Sequence, residues 1–343
     1  MKAAVYTRTG EPGVLELVDQ PIPEPDAGEV LVRMAFSGIN PTDVKARSGD
    51  GGPPPYGWQV PGQDGAGVIE ATGHGVDSTL VGERVWVWEA AVTRPWGTAA
   101  EYTLVPSRQI VLLGPASFEV GAALGIPFLT AHRCLTVGEL MPRHLDVGSL
   151  ADHVVLVQGG AGVVGNAAIQ LARWADATVI ATVSSAEKAQ LAAAAGASHV
   201  INYRQQDVVA EVKKIAPHGV DTIVEVAGDR NASIDAQVIG HAGVVSVYSF
   251  GGDGTLSLPA MQLMTPNARW QFVTIYQVPT AAKAQAVQDV ATAATQGGIR
   301  VGADAGLPLH YYPLAEAADA HAAVEDSTVG KVLISTAQEQ PAA

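Results

Sequence analysis

The apolar run Val154 to Val157 passes through Gln158 and Gly159 straight into Gly160-Ala161-Gly162-Val163-Val164-Gly165. The helix-forming stretch NAAIQLARW follows at once, and then a second apolar run, ATVIATV. Strand, GxGxxG, helix and strand in that order open a dinucleotide-binding βαβ unit. In a chain with 37 glycines the hexapeptide alone carries little weight, and the order of elements around it carries the argument. Gly160 permits the tight turn, Gly162 lets a pyrophosphate approach the backbone, and Gly165 lets the helix pack on the strand. The amides at the helix start, at Val163 and Val164, together with the helix dipole, then bind the phosphates. A glycine-rich turn without a ligand is the other reading of the same letters.

The end of the second strand discriminates NAD from NADP, because an acid there accepts hydrogen bonds from the ribose 2′-hydroxyl and repels a 2′-phosphate. Here the strand ends in Thr182-Val183-Ser184-Ser185 with no acid. Lys188 follows on the next helix and Tyr203 closes the third strand, in VINYR. Ser184, Ser185, Lys188 and Tyr203 make a pocket for a 2′-phosphate, so NADPH is the expected cofactor. Against that stand a capping role for Ser184 at a helix beginning near Ala186, a solvated Lys188, and the nearby Glu187.

The glycine loop lies near the middle of a 343-residue chain, long enough for two domains. Before about Ala122 the sequence reads as an all-β region: KAAVYT, EVLVRMAF, AGVIEAT, ERVWVWEA and AEYTLV are short runs separated by Gly and Pro. Gly49 to Pro55, after Ser48, cannot continue helix or strand and is expected to be a mobile surface loop bordering a substrate cleft. After Ala122 strands alternate with Ala-rich helices, which implies a parallel sheet covered on both faces. RWQFVTIY reads as an additional strand, Ala281 to Gly297 as a helix, and PLHYYPL, a helix through Glu316 to Val324, and KVLIST as a return to the β-rich domain. The expected division is 1–124 and 280–343 for the β-rich domain and 125–279 for the inserted Rossmann domain. The tail AQEQPAA is expected to fray.

Composition removes several function classes. A net charge of −14 opposes general affinity for nucleic acid or anionic membrane. No run of about 18 apolar residues and no signal-peptide pattern appears, so the expectation is a cytoplasmic protein with no membrane partner. One cysteine, Cys134, excludes an internal disulfide and a multi-thiolate zinc site, and reads as a buried thiol. The nine histidines are scattered and form no HExxH.

The stretches SGINPTDVKARSG, VPGQDGAGVIEATG, LTAHRCL, VLVQGGAGVVG, SSAEK with INYR, SFGG and VGKVLI fall in one order along nearly the whole chain. In them the chain resembles the zinc-free quinone oxidoreductase branch of the medium-chain dehydrogenase/reductase superfamily, the branch that includes zeta-crystallin. The resemblance implies an α/β protein with a Rossmann doubly wound parallel sheet inserted in a β-rich, GroES-like catalytic domain. It also implies a homodimer or homotetramer joined through the strand that Arg269 to Tyr276 resembles. Zinc alcohol dehydrogenases of the superfamily carry a cysteine where this chain has Asn40 and a His-Glu pair where it has Gln63-Asp64, so no metal is expected.

A metal-free NADPH site suits an acceptor already electrophilic enough to take hydride: a quinone, or an enone at its β-carbon. By the resemblance, Asn40 and Pro41 lie beside the nicotinamide and Thr130 contacts the same region. Ser249, Phe250 and Gly251 line the cofactor's path, and Lys331 is a further candidate near it. The Asn40 amide is a hydrogen-bonding candidate for the acceptor oxygen or the carboxamide, or it serves only the turn before Pro41. Asp43, Tyr56 and Gln63 are the other catalytic candidates, Tyr56 as gate or proton donor. The tyrosine that the family usually has two residues before RSG is Lys45 here. Metal-free reduction of a quinone by NADPH is therefore the expected activity. An enoyl or alkenal double-bond reductase is the near rival, and a non-catalytic NADPH- or RNA-binding protein is the distant one.

Overall fold

A computed structural model describes residues 1–336, and the tail AQEQPAA lies outside the described residues. The chain divides into two compact units, 1–126 with 309–343, and 127–308. The first crossing agrees closely with the sequence reading. The return comes at 309 rather than 280, because the helix expected at 281–297 belongs with the inserted unit.

In the first unit the strands are β1 (Lys2–Val5), β2 (Glu16–Asp19), β3 (Glu29–Gly38), β4 (Asp64–Thr72), β5 (Arg84–Val87), β6 (Tyr102–Pro106) and β7 (Ile110–Leu112). A short helix, α1 (Pro41–Ser48), sits between β3 and β4, and α2 (Phe118–Thr136) begins after β7. The seven-stranded sheet runs β14-β15-β3-β4-β5-β7 with β6 also on β3, where β14 is Leu309–Pro313 and β15 is Lys331–Ser335. Long β3 is the hub, pairing antiparallel with β4, β6 and β15. Its side chains Val30, Val32 and Met34 are buried with Ile69, Val85 and Val105.

An all-β reading of this region missed α1, whose eight residues are too few to show a periodic apolar face. Local chemistry starts the helix instead. Asn40 is its N-cap, Pro41 occupies the first turn where no amide partner is lost, and Asp43 accepts the Asn40 backbone N–H at 2.8 Å. Gly49, at φ +123°, ends it. The segment 49–55 that follows has no helix or strand.

The inserted unit contains β8 (Val154–Val157), α3 (Val163–Trp174), β9 (Thr178–Val183), α4 (Ala186–Ala195), β10 (His199–Asn202), α5 (Val208–Ile215), β11 (Val220–Glu225), α6 (Gly228–Val238), β12 (Ile239–Val247), α7 (Ala260–Met264), β13 (Arg269–Phe272) and α8 (Thr280–Thr295). Its six strands are all parallel in the order β10-β9-β8-β11-β12-β13. With strands numbered within the sheet this is 3-2-1-4-5-6, the doubly wound dinucleotide-binding order. Leu156, Ile180, Ile223 and Val245 are fully buried at its centre, each stabilising the fold by roughly 1.5–3 kcal/mol. Of the run RWQFVTIY only the first half is strand; Ile275–Gln277 is a 3-10 turn. The helix α9 (Ala317–Glu325) returns the chain to β15. No helix among the described residues is long and apolar enough to cross a membrane.

Candidate active site

The glycine loop sits where β8 meets α3. Gly159 adopts φ +72°, a conformation that side chains disfavour, and turns the chain out of the sheet. A Cβ on Gly165 would lie 2.4 Å from the Gly159 carbonyl oxygen, so the first turn of α3 rests directly on the loop backbone. Gly162 differs: a Cβ there would meet nothing nearer than 3.4 Å, and the residue is exposed. It is the N-cap of α3 and supplies no side-chain cap, which leaves the amides at the start of α3, with half-exposed Val163 and Val164, to face a ligand. This is a fit for a pyrophosphate.

The loop is braced from behind. The Gly159 N–H donates to the Thr182 hydroxyl at 3.2 Å, Thr182 donates to Gln158 Oε1 at 2.6 Å, and Gln158 Nε2 donates to buried Asp235 at 3.0 Å. Burial, with the Glu225 carboxylate beside it, pushes the Asp235 carboxyl well up.

At the end of β9 no acid is present, and Ser184, Ser185 and Lys188 are all half-buried. The residue that caps α4 is Ser185, whose hydroxyl accepts the Lys188 N–H at 3.3 Å, and not Ser184. Ser184, the Lys188 ammonium and half-exposed Tyr203 stand beside Ser185, whose hydroxyl accepts the capping N–H and keeps its own proton to donate. Elsewhere in the unit Thr130 is buried on α2, Phe250 is exposed, and the Gly251 N–H donates to Asp229 at 2.7 Å.

In the β-rich unit the expected catalytic residues separate into two settings. Asn40, Asp43 and Lys331 are buried in one network with Asp64. Asn40 Nδ2 donates to Asp64 Oδ2 at 2.7 Å and to the Gly38 carbonyl at 3.3 Å. Its Oδ1 accepts from Lys331 Nζ at 2.8 Å. Lys331 also donates to the Ile39 carbonyl at 3.0 Å and lies 4.0 Å from Asp64. Both Asp64 oxygens accept the Ile126 N–H at 2.9 Å, and Gly125 must be glycine because a Cβ would lie 1.9 Å from Asp64 Oδ1. Burial raises the Asp64 carboxyl and the Lys331 ammonium partly offsets it; burial lowers Lys331, and the Asp64 and Asp43 carboxylates oppose that. Asp43 is pushed up to about 6, mainly by burial.

Both hydrogens of the Asn40 amide nitrogen are engaged inside the unit, and its Oδ1 accepts one hydrogen bond from Lys331. Lys331 spends two of its three N–H donors on Asn40 and the Ile39 carbonyl. Together they brace α1 and β4.

The second setting is a cavity of about 150 Å³ whose lining includes Tyr6, Asp43, Gln63 and the 51–55 segment. Gln63 Oε1 accepts the Ala91 N–H at 3.2 Å. Tyr56 does not line this cavity; it is 48% exposed and its hydroxyl donates to the Thr93 carbonyl. Tyr6 and Asp64 were not singled out as site residues from sequence. Tyr6 reads only as the end of an edge strand, and its backbone pairing with Gln59, at 3.0 and 2.9 Å, has no local signature. Asp64 was legible only as a position where a metal ligand would otherwise stand. Among the described residues no group of three or more His, Cys, Asp or Glu is arranged to hold a metal.

Comparison with known proteins gives two family matches: an alcohol dehydrogenase GroES-like domain over residues 26–115 and a zinc-binding dehydrogenase domain over 163–292. The chain is 32% identical over 339 residues to a quinone oxidoreductase from Sus scrofa, covering 97% of each. Among solved structures it resembles an NAD-dependent alcohol dehydrogenase at 28% identity and TM-score 0.84, covering 98% of this chain and 100% of that one. It also resembles the Escherichia coli quinone oxidoreductase complexed with NADPH, at 25% identity and TM-score 0.79, with the same coverage.

Proposed function

The chain belongs to the zinc-free quinone oxidoreductase branch of the medium-chain dehydrogenase/reductase superfamily, and from that premise we propose that it reduces a quinone with NADPH. The observation that carries the reading is the fate of the metal-ligand positions. Asn40 and Asp64 are consumed by one another, by Lys331 and by the Ile126 amide, and Gln63 offers an amide in place of an imidazole. A buried ammonium in that network is incompatible with a cation held by the same oxygens. Chemistry that needs Lewis-acid polarisation of an alcohol has no ligand set here, whereas a quinone is electrophilic without it.

When bound, NADPH supplies the hydride. The inserted unit holds it: Gly160, Gly162, Val163 and Val164 take the pyrophosphate, and Ser184, Lys188 and Tyr203 take the 2′-phosphate. Thr130 and the Ser249 to Gly251 segment border the remainder. The β-rich unit holds the acceptor in the cavity lined by Asp43 and Gln63. Asn40 and Lys331 keep Asp43 and β4 in place, and the single thiol and acidic composition suit a cytoplasmic enzyme.

The test follows oxidation of NADPH and NADH with 1,4-benzoquinone and with a small enal. The expected result is a higher kcat/KM for the quinone and a lower KM for NADPH than for NADH. Replacing Lys188 with alanine is expected to raise the KM for NADPH about tenfold, the worth of one charge-assisted hydrogen bond, and to leave NADH unchanged. Equal effects on both cofactors would remove Lys188 from the pocket. A higher kcat/KM for the enal would make the chain a double-bond reductase.

Assembly belongs to the same reading. β13 is one of the two edges of the six-stranded sheet, and its Phe272 is 53% exposed with its ring 6.2 Å from that of exposed Phe250. An unpaired edge flanked by exposed aromatics is a template for a second copy. Light scattering is expected to give twice the chain mass or a multiple of it, and a lysine at Phe272 to give the single-chain mass; a wild-type monomer overturns the reading.

A further inference from the structure

The cavity of the β-rich unit offers two hydrogen-bond donors that the fold does not use. Most polar groups on it are spent. Asp43 Oδ2 accepts the Asn40 N–H, and Gln59 Nε2 is shared among the Val60, Arg94 and Pro95 carbonyls at 2.9 to 3.0 Å. Gln63 uses its oxygen on Ala91 and keeps its NH2. Tyr6 pins its backbone to Gln59 and packs its ring with Val14 and Leu15, while its hydroxyl donates to no other described residue. Burial, with the Asp43 carboxylate adding to it, pushes the Tyr6 phenol up to about 12, so it stays protonated and remains a donor across the working pH range. The rest of the lining is largely Gly, Pro and Ala.

Two unspent donors on a wall otherwise built largely of Gly, Pro and Ala fit a carbonyl oxygen. The Asp43 carboxylate on the same wall opposes an anion. A volume of about 150 Å³ matches ~5 waters and so one six-membered ring, well below the ~300 Å³ at which sites for larger ligands begin.

We propose that Tyr6 is a catalytic residue whose hydroxyl, with the Gln63 amide, donates to the carbonyl oxygen of the acceptor and selects a small, uncharged, single-ring quinone. This rests on the quinone reductase reading. In the reaction a hydride leaves NADPH, which becomes NADP+, and the quinone gains that electron pair and one hydrogen. Negative charge develops on the carbonyl oxygen held by Tyr6, and that oxygen then takes one proton from water to complete the hydroquinone. Tyr6 keeps its own proton, because its pKa lies above the value near 10 of an ordinary phenol. Its contribution is a fixed donor where charge appears.

The test is Tyr6→Phe, which retains the ring that packs on Val14 and Leu15. With 1,4-benzoquinone, kcat/KM is expected to fall at least about tenfold, with the NADPH dissociation constant, followed by nucleotide fluorescence, unchanged. A ligand-observed NMR titration of 2-cyclohexenone against the protein without nucleotide reads the pocket directly. Binding to wild type that weakens in Tyr6→Phe supports the proposal. If wild type binds the enone and the variant loses that binding, while wild type turns over no quinone, the donor role stands and the quinone reading fails. If wild type reduces benzoquinone and Tyr6→Phe matches it in both turnover and enone binding, the Tyr6 role is overturned. No enone binding to wild type overturns it as well. A carboxylated benzoquinone reduced as well as benzoquinone itself removes the selectivity.

Discussion

Replacing Lys331 with methionine is expected to destabilise the protein by about 3–5 kcal/mol near pH 8, the cost of leaving buried charge without its partner. Lys331 is 1% exposed and is the cation facing two buried carboxyls, Asp64 at 4.0 Å and Asp43. Methionine fills similar volume, so the loss is electrostatic and not a cavity. The pH dependence follows from the sign of the shifts. Asp64 and Asp43 titrate above their ordinary value in the folded chain. A raised carboxyl binds its proton more tightly folded than unfolded, so stability falls as pH climbs from the unfolded value near 4 through the folded one. Without Lys331 both folded values rise further, which deepens that fall and extends it upward. The gap between variant and wild type is therefore small near pH 4.5 and large near pH 8. Denaturant midpoints by tryptophan fluorescence measure it, and a gap that does not change with pH would show that Lys331 is not what holds these carboxyls.

Two glycines of the cofactor loop are expected to behave differently. Gly165→Ala is expected to weaken NADPH binding at least a hundredfold and to lower the melting temperature. Its Cβ would stand 2.4 Å from the Gly159 oxygen and 3.0 Å from Gly160 Cα, backbone that cannot yield without moving the turn. Gly162→Ala leaves the fold room and is expected to melt like wild type, but it puts a methyl group where the pyrophosphate meets the backbone and weakens NADPH by a similar factor. Calorimetric titration with NADPH and thermal melts separate the two effects. A Gly162→Ala protein that binds NADPH normally would remove the phosphate from this loop.

The inserted unit was legible because its evidence is local. Strand, glycine loop and helix are consecutive, and the consequence of Gly165 follows from backbone space alone, although the positive-φ turn falls at Gly159, one residue before the hexapeptide. The absence of an acid after β9 is equally a fact of adjacent residues. Which of Ser184 and Ser185 caps α4 is not legible in the sequence, because the two have the same chemistry and only the start of α4 distinguishes them. The domain return at 309 was missed because a helix of alanine and glutamine reads alike in either unit.

The catalytic candidates of the β-rich unit were read less well, for a physical reason. Asn40, Asp64 and Lys331 are drawn together across 291 residues by the pairing of β15 with β3 and of β3 with β4. Nothing near Asn40 in sequence announces an ammonium 2.8 Å from its oxygen, so the engagement of this amide inside the unit could not be read locally. Tyr56 shows the converse, a phenol beside the expected cleft loop whose hydroxyl is tied to Thr93.

The sequence by itself determined the order of strand, glycine loop, helix and strand, the absence of an acid after β9, and the residue types at 40, 63 and 64, since each depends on residue type at neighbouring positions. Tertiary structure alone decided which polar groups remain unspent. Hydrogen-bond partners come from strands distant in the chain, and their closure engages Asn40 and Lys331 while leaving Tyr6 and the Gln63 amide on the cavity.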